Sequence, residues 1–273
     1  MTPVELIEPP GKPLGEIVPA AFDADGKQFG YVHSIETGAA VDGPGMRFAL
    51  FVSGCQFRCL YCHNPDTWKL HTGKPWTVDA IVAEIGKYAS FLRVAGGLTI
   101  SGGEPLMQAH FIGEIFRRAK QEMRLHTALD TQGFLAAHLP DAYFDNVDLV
   151  LLDIKQMNPE KYEALTGKPL QPTLDFAERL FKMGKKIWLR YVLVPGWSDD
   201  EVDVQKLADY LAQLNQAYPG VLERVEVLPF HKMGENKWAE LGLKYELGDT
   251  KPPSTELTHR VREQFRAQGI FCC

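Results

Sequence analysis

The sequence predicts an α/β fold with a mostly parallel sheet, and three observations predict it. From about Gly30 onward, segments rich in β-branched, aromatic and leucine residues alternate with segments of helical apolar periodicity. No internal repeat and no strong linker interrupts the alternation, so residues 30–273 read as one domain. Cysteines, carboxylates, a lysine and a histidine fall at the ends of the strand segments, where parallel α/β sheets bind ligands.

In chain order, the expected strands are Arg47–Ser53, Gly97–Ser101, His126–Asp130, Leu149–Ile154, Lys186–Val194 and Arg224–Leu228. The expected helices between them are Val78–Arg93, Ala109–Glu122, Leu135–Phe144, Leu174–Lys182 and Asp200–Tyr218. A last helix, Ser254–Gln268, follows Pro252 and Pro253 and takes Ser254 as its N-cap. This alternation implies right-handed crossovers between parallel neighbours. Six βα units are too few for an eight-fold barrel, which leaves a partial barrel or an open doubly wound sheet.

Residues 1–29 hold five prolines and little apolar periodicity, and are expected to be a mobile extension. Glu5, Glu8, Pro9 and Pro10 break any signal-peptide core, and no apolar run approaches a membrane span. Hydrophobic residues at 45% against 23% charged fit a soluble globular chain. A net charge of −6 argues against a nucleic-acid surface. The expected compartment is the cytoplasm, with neither nucleic acid nor membrane as partner. Three of the five cysteines lie within eight residues and the other two are adjacent at Cys272-Cys273, a poor disulfide framework and a better thiolate metal site.

The chemistry gathers at the strand ends. The first strand runs into Cys55-x-x-x-Cys59-x-x-Cys62, and the second ends at Ser101-Gly102-Gly103-Glu104-Pro105. The third ends at Asp130-Thr131-Gln132-Gly133, the fourth at Asp153-Ile154-Lys155 and the sixth at Pro229-Phe230-His231, while Arg190 lies within the fifth. Three thiolates on one loop can hold a metal, but a closed zinc site needs a fourth ligand, which His63 is badly placed to give and His71 or a distant histidine would have to supply. A 4Fe–4S cluster on three cysteines keeps one iron open to an external ligand.

On this cysteine spacing the chain resembles the radical S-adenosylmethionine superfamily, and Tyr61 matches the aromatic residue that family places before its third cysteine. Val41-Asp42-Gly43-Pro44-Gly45-Met46-Arg47 is similar to the glycine-rich motif of glycyl-radical-enzyme activating enzymes. Cys59-Leu60-Tyr61-Cys62-His63-Asn64, Asp153-Ile154-Lys155-Gln156-Met157 and Val194-Pro195-Gly196-Trp197-Ser198-Asp199-Asp200 resemble the branch that activates pyruvate formate-lyase. Matching segments run from about Gly30 to Pro253. Larger members carry a cysteine-rich insert for further clusters, for which this chain lacks the cysteines. Residues 1–29 and the Cys272-Cys273 ending depart from the pattern.

The resemblance implies one 4Fe–4S cluster on Cys55, Cys59 and Cys62, with S-adenosylmethionine on its open iron. It places Tyr61, Cys62, His63 and His231 near the adenosyl end, and Gly102, Gly103 and Glu104 at the methionyl amino group. Asp153, Ile154, Lys155 and Arg190 are implied as further cofactor contacts. Asp130, Thr131 and Asp153 are expected to offer oxygen ligands to a monovalent cation. The implied activity is reductive cleavage of S-adenosylmethionine and hydrogen abstraction from a backbone glycine of a pyruvate formate-lyase-type glycyl radical enzyme. Flavodoxin or ferredoxin is the implied reductant and a monomer the expected state. A protein substrate requires an open side, which favours a partial (β/α)6 TIM-like barrel over a closed one. The alternatives are a radical enzyme acting on a small molecule, a zinc-stabilised binding module, and a phosphate-binding α/β barrel.

Overall fold

The computed structural model describes residues 16–273. The chain opens with β1 (Ala21–Phe22) and β2 (Gln28–Ala39), which pair antiparallel. Further along, β2 pairs antiparallel with β3 (Met46–Val52), and β4 (Lys74–Thr77) joins β2 on the opposite flank. From β3 the sheet continues through β5 (Gly96–Gly102), β6 (His126–Thr131), β7 (Leu149–Asp153), β8 (Lys186–Leu193) and β9 (Leu222–Pro229), every neighbouring pair parallel. These six strands lie in chain order, so no topological switch point exists and the sheet curls in one sense. β9 does not return to β3 among the described strands, which leaves an open seam. The architecture is a partial (β/α)6 barrel.

Because side chains alternate across a strand, each strand feeds two layers. On the outer face Phe48, Leu50, Leu98, Ile100, Leu129, Val150, Leu152, Leu189 and Val225 join the main core beneath the helices. On the inner face Ala128, Leu149, Leu151 and Trp188 fill the floor. One pleat further along the same strands stand Asp130, Asp153 and Arg190, with Glu226 on β9 beside Arg190, so the interior changes from apolar to charged toward the C-terminal rim.

The helices are α1 (Val78–Gly86), α2 (Ala89–Ala95), α3 (Ala109–Gln121), α4 (Pro159–Thr166), α5 (Gln171–Met183), α6 (Glu201–Ala217), α7 (Glu235–Glu240) and α8 (Thr255–Ala267). The Ser254 hydroxyl accepts the Leu257 N–H at 3.1 Å, the expected cap of α8. The single helix expected over Val78–Arg93 is two, broken after Gly86. The helix expected over Leu135–Phe144 is instead a pair of 3₁₀ turns, because Pro140 lacks an N–H and holds Leu139 extended.

The expected mobile extension falls outside the described residues for 1–15. From residue 16 on, Ile17 and Val18 pack against the core, and the Val18 N–H donates to the Met107 carbonyl at 2.7 Å. At the other end Phe271–Cys273 lies along the free edge of β9: Val225 N–H donates to Phe271 O (2.9 Å), Cys273 N–H to Val225 O (3.1 Å) and Val227 N–H to Cys273 O (2.9 Å). Strand alternation there buries Cys272 and exposes Cys273.

Candidate active site

The cysteine loop leaves β3 on the C-terminal rim and is stitched down by backbone bonds. Gly54 N–H donates to Thr67 O (2.7 Å), Cys55 N–H to Trp68 O (3.1 Å), Arg58 N–H to Thr166 O (2.8 Å) and Leu60 N–H to Leu165 O (3.0 Å). The Arg58 guanidinium donates to the Cys55 and Phe57 carbonyls at 2.7 Å each and lies over the Trp68 ring. From a distant part of the chain, the Trp238 indole donates to the Cys62 carbonyl at 2.8 Å.

Cys55 and Cys59 are buried and Cys62 nearly so. Burial pushes all three upward, Cys59 to about 12, and repulsion from neighbouring thiols adds to it at Cys55 and Cys59. Thiolates in this place therefore require a strongly cationic group between them. No three His, Cys, Asp or Glu side chains among the described residues converge as ligands of a single ion would. Around the same loop both amide atoms of Gln56, Gln132 Oε1 and His231 Nδ1 are buried without a hydrogen-bond partner among the described residues, as the lining of a polar ligand site would be. The residues fit a cluster with an organic cofactor beside it.

Glycines 102 and 103 bind β5 to that loop. A Cβ on Gly102 would stand 2.2 Å from the Val52 carbonyl oxygen, and one on Gly103 2.3 Å from that of Gly54 and 3.1 Å from Cys55 Cβ. Only glycine permits this approach. Glu104, expected beside them at the methionyl amino group, has its carboxylate engaged by protein donors. Its carboxylate takes hydrogen bonds from the Leu106 N–H (3.0 Å), the Thr131 hydroxyl (2.6 Å) and the Gln132 N–H (3.0 Å), and it is fully buried. It ties the β5 turn to the β6 turn; burial pushes its pKa up to about 7 against those three donors.

The charged interior layer is a continuous network. Arg190 donates to Asp130 (3.1 Å), Glu226 (3.4 Å) and the Val41 carbonyl, and Ser101 donates to Asp130 at 2.6 Å. Burial raises Asp130 to about 6, opposed by Arg190. Lys155, 5% exposed, donates to Asp153 at 2.9 Å and stands 5.5 Å from the Tyr61 ring centre. Burial opposes its charge, yet Asp153, Tyr61 and Cys59 outweigh it and hold the ammonium above its ordinary range. The candidate cation ligands are adjacent, but each already has a protein partner: Asp130 has Arg190, Thr131 has Glu104 and Asp153 has Lys155. Ile154 turns its side chain into the outer core, so only its backbone faces the rim.

His63 and His231 stack at 4.1 Å between ring centres, and the His231 carbonyl accepts from His63 Nε2 at 3.1 Å. Burial lowers the pKa of His63 and keeps it neutral. Sequence reasoning missed Trp238 and Glu226, and placed Ser101 at a strand end without a role. The indole carries no local motif, and the other two acquire meaning only through strand register. Each is brought to the site by residues far away in the chain.

Thiolates on an open-barrel rim with a buried lysine–carboxylate pair beside them define a class of enzyme. A family model of the Radical SAM superfamily matches residues 50–208. The chain belongs to that superfamily, whose members use a 4Fe–4S cluster and S-adenosylmethionine. It is 44% identical over 248 residues to pyruvate formate-lyase 1-activating enzyme of Escherichia coli, covering 89% of this chain and 98% of that one. It is 42% identical to pyruvate formate-lyase-activating enzyme of Staphylococcus epidermidis, over 87% and 94% of the two chains. Among solved structures, Streptococcus suis SuiB bound to precursor peptide SuiA shares the fold, with a TM-score of 0.62 at 15% identity over 85% of this chain and 49% of that one. No described helix is long and apolar enough to cross a membrane.

Proposed function

We propose that this chain activates a pyruvate formate-lyase-type glycyl radical enzyme by removing hydrogen from a backbone glycine of that partner. The carrying observation is the buried three-cysteine loop on the rim of an unclosed barrel, in a chain similar over nearly its whole length to such activating enzymes. When bound, the cluster and S-adenosylmethionine would supply the one-electron chemistry and the hydrogen-atom abstraction.

The chain's own residues bind, orient and shield. Cys55, Cys59 and Cys62 hold the cluster, and the Trp238 and Arg58 bonds fix the loop that carries them. Gly102 and Gly103 present backbone to the methionyl end, while Glu104 fixes their turn from behind. Lys155, held by Asp153, faces the carboxylate or ribose of the cofactor, and Ile154 contributes backbone alone. Tyr61 and the stacked His63 and His231 flank the adenine, with the free His231 Nδ1 available to it. Arg190 sets the inner wall, and Asp130, Thr131 and Asp153 are the candidate cation ligands. The reductant is flavodoxin or ferredoxin, the chain acts as a monomer and its compartment is the cytoplasm. The deciding experiment mixes anaerobic holoprotein, reductant, S-adenosylmethionine and partner, and reads electron paramagnetic resonance. A glycyl radical doublet on the partner, absent when its glycine is alanine, is expected. Cofactor cleavage that responds instead to a small molecule would overturn the reading.

A further inference from the structure

Cys62 is held differently from the other two cysteines of its loop. It is the least buried of the three, and donors reach it from two directions. The Trp238 indole donates to its carbonyl at 2.8 Å. Its sulfur is met by the Asn64 N–H and by the Trp68 indole, and both favour the thiolate against burial. At Cys55 and Cys59 the hydrogen bonds that favour the thiolate come from backbone N–H groups, of Phe57 and of Cys59 itself.

Trp68 is fixed in this position from several sides. A 3₁₀ turn over Pro65–Thr67 ends on it, with Trp68 N–H donating to the Pro65 carbonyl at 3.1 Å. Its own carbonyl accepts from Cys55 N–H at 3.1 Å, so one residue holds the first cysteine through its backbone and reaches the third through its ring. The ring has little freedom to swing. The Arg58 guanidinium lies over its face, 4.8 Å from the centre, and the Trp238 ring stands edge-on at 5.0 Å with 86° between the planes. Arg58 is anchored in turn by its two 2.7 Å bonds to the Cys55 and Phe57 carbonyls. Lys237 pins the turn from α7, donating to Asn64 at 2.8 Å and to Asp66 at 3.0 Å, and His33 meets Asp66 at 2.9 Å. The direction of the Trp68 indole is therefore set by protein contacts alone, as the orientation of a donor to a metal ligand has to be.

We propose that Trp68 tunes the cluster: its indole N–H bonds to the Cys62 sulfur and makes the cluster easier to reduce. Reduction adds one electron, supplied by an external one-electron donor, and that charge spreads over the sulfurs. A hydrogen bond to sulfur strengthens as the sulfur becomes more negative, so it stabilises the reduced state more than the oxidised one. The difference is a fraction of one charge-assisted bond, about three- to tenfold in the reduction equilibrium, which is roughly 30–60 mV for one electron. The inference needs the cluster and not the identity of the partner, so it stands or falls apart from the activation reading.

The test uses reconstituted holoprotein under anaerobic conditions, without S-adenosylmethionine or partner. The reduction potential is read by titration with dithionite, following the electron paramagnetic resonance signal of the reduced cluster. Protein labelled with ¹⁵N at the indole nitrogen of tryptophan is then examined by pulsed paramagnetic resonance for coupling of that nitrogen and its exchangeable proton to the cluster. Wild type is expected to show the coupling. Trp68→Phe should lose it and be about three- to tenfold harder to reduce, with its iron retained. Trp238→Phe, which removes only the bond to the Cys62 carbonyl, should keep it. Benzothienylalanine at Trp68 matches the indole in size and lacks its N–H, and gives the same comparison if Trp68→Phe fails to hold iron. Absence of the coupling in wild type, its persistence in Trp68→Phe, or an unchanged potential in a Trp68 variant that holds its iron would each overturn the proposal. Loss of iron from both Trp68 variants would also overturn it, since Trp68 would then serve to build the loop and not to tune it.

Discussion

Gly103→Ala tests how the cluster loop is held. The new Cβ would lie 2.3 Å from the Gly54 carbonyl oxygen, about 1 Å inside the 3.4 Å at which ordinary contact begins. Both sides of this contact are backbone, so no side chain can rotate away and the loop must move. That movement lengthens the bonds from Gly103 N–H to Val52 O (2.9 Å) and from Glu104 N–H to Gly54 O (2.8 Å). Overpacking costs about 1–3 kcal/mol, and two weakened hydrogen bonds add about 1 kcal/mol each. A loss of roughly 3–5 kcal/mol corresponds in a chain of this size to a fall in Tm of roughly 6–15 °C. Cys55 follows Gly54 directly, so iron bound after anaerobic reconstitution should fall with it. Gly220→Ala is the control: its φ is +78° with nothing within 4 Å, so it suffers only about 1 kcal/mol of backbone strain and should keep its iron. Full iron content and a Tm within a degree or two of wild type for Gly103→Ala would refute the argument.

Cys55→Ala, Cys59→Ala and Cys62→Ala should each abolish the cluster, read as iron and sulfide content, while Cys272→Ala and Cys273→Ala should not, because the terminal pair lies on the β9 edge. Iron loss in either terminal variant would mean the ligands are misassigned. Lys155→Met should weaken S-adenosylmethionine binding about tenfold or more with the cluster retained, measured by equilibrium binding; an unchanged isotherm would return Lys155 to a structural partner of Asp153. Glu104 gives a pH test. Its folded pKa of about 7 exceeds its ordinary 4.5, so the native state holds the proton more tightly and stability should fall as pH rises between those values, by roughly 3 kcal/mol at most. Anaerobic denaturant unfolding of holoprotein should show a shallower fall for Glu104→Gln, and identical slopes would count against the buried, proton-retaining carboxyl.

The sequence by itself determined the strand–helix order, the three-cysteine loop and the placement of Gly102, Asp130, Asp153 and His231 at one rim, with Arg190 inside its strand. Those are consequences of local periodicity and of parallel topology, which puts successive strand ends on the same side. It did not disclose β2, only three of whose twelve residues are fully buried and whose buried positions depend on β3 and β4. It misjudged Leu135–Phe144, where one proline outweighed helical periodicity. The partners of the Glu104 carboxylate were decided only in three dimensions: its motif gives a residue type, but its three donors come from the β5 turn and from the β6 turn that folding brings beside it. The Trp238 bond to the cluster loop spans 176 residues, and a cleft at the open seam joins residues 40–45 to β9 and α8. Such pairings follow from the curl of the sheet and the register of its strands, which no local pattern of residues encodes.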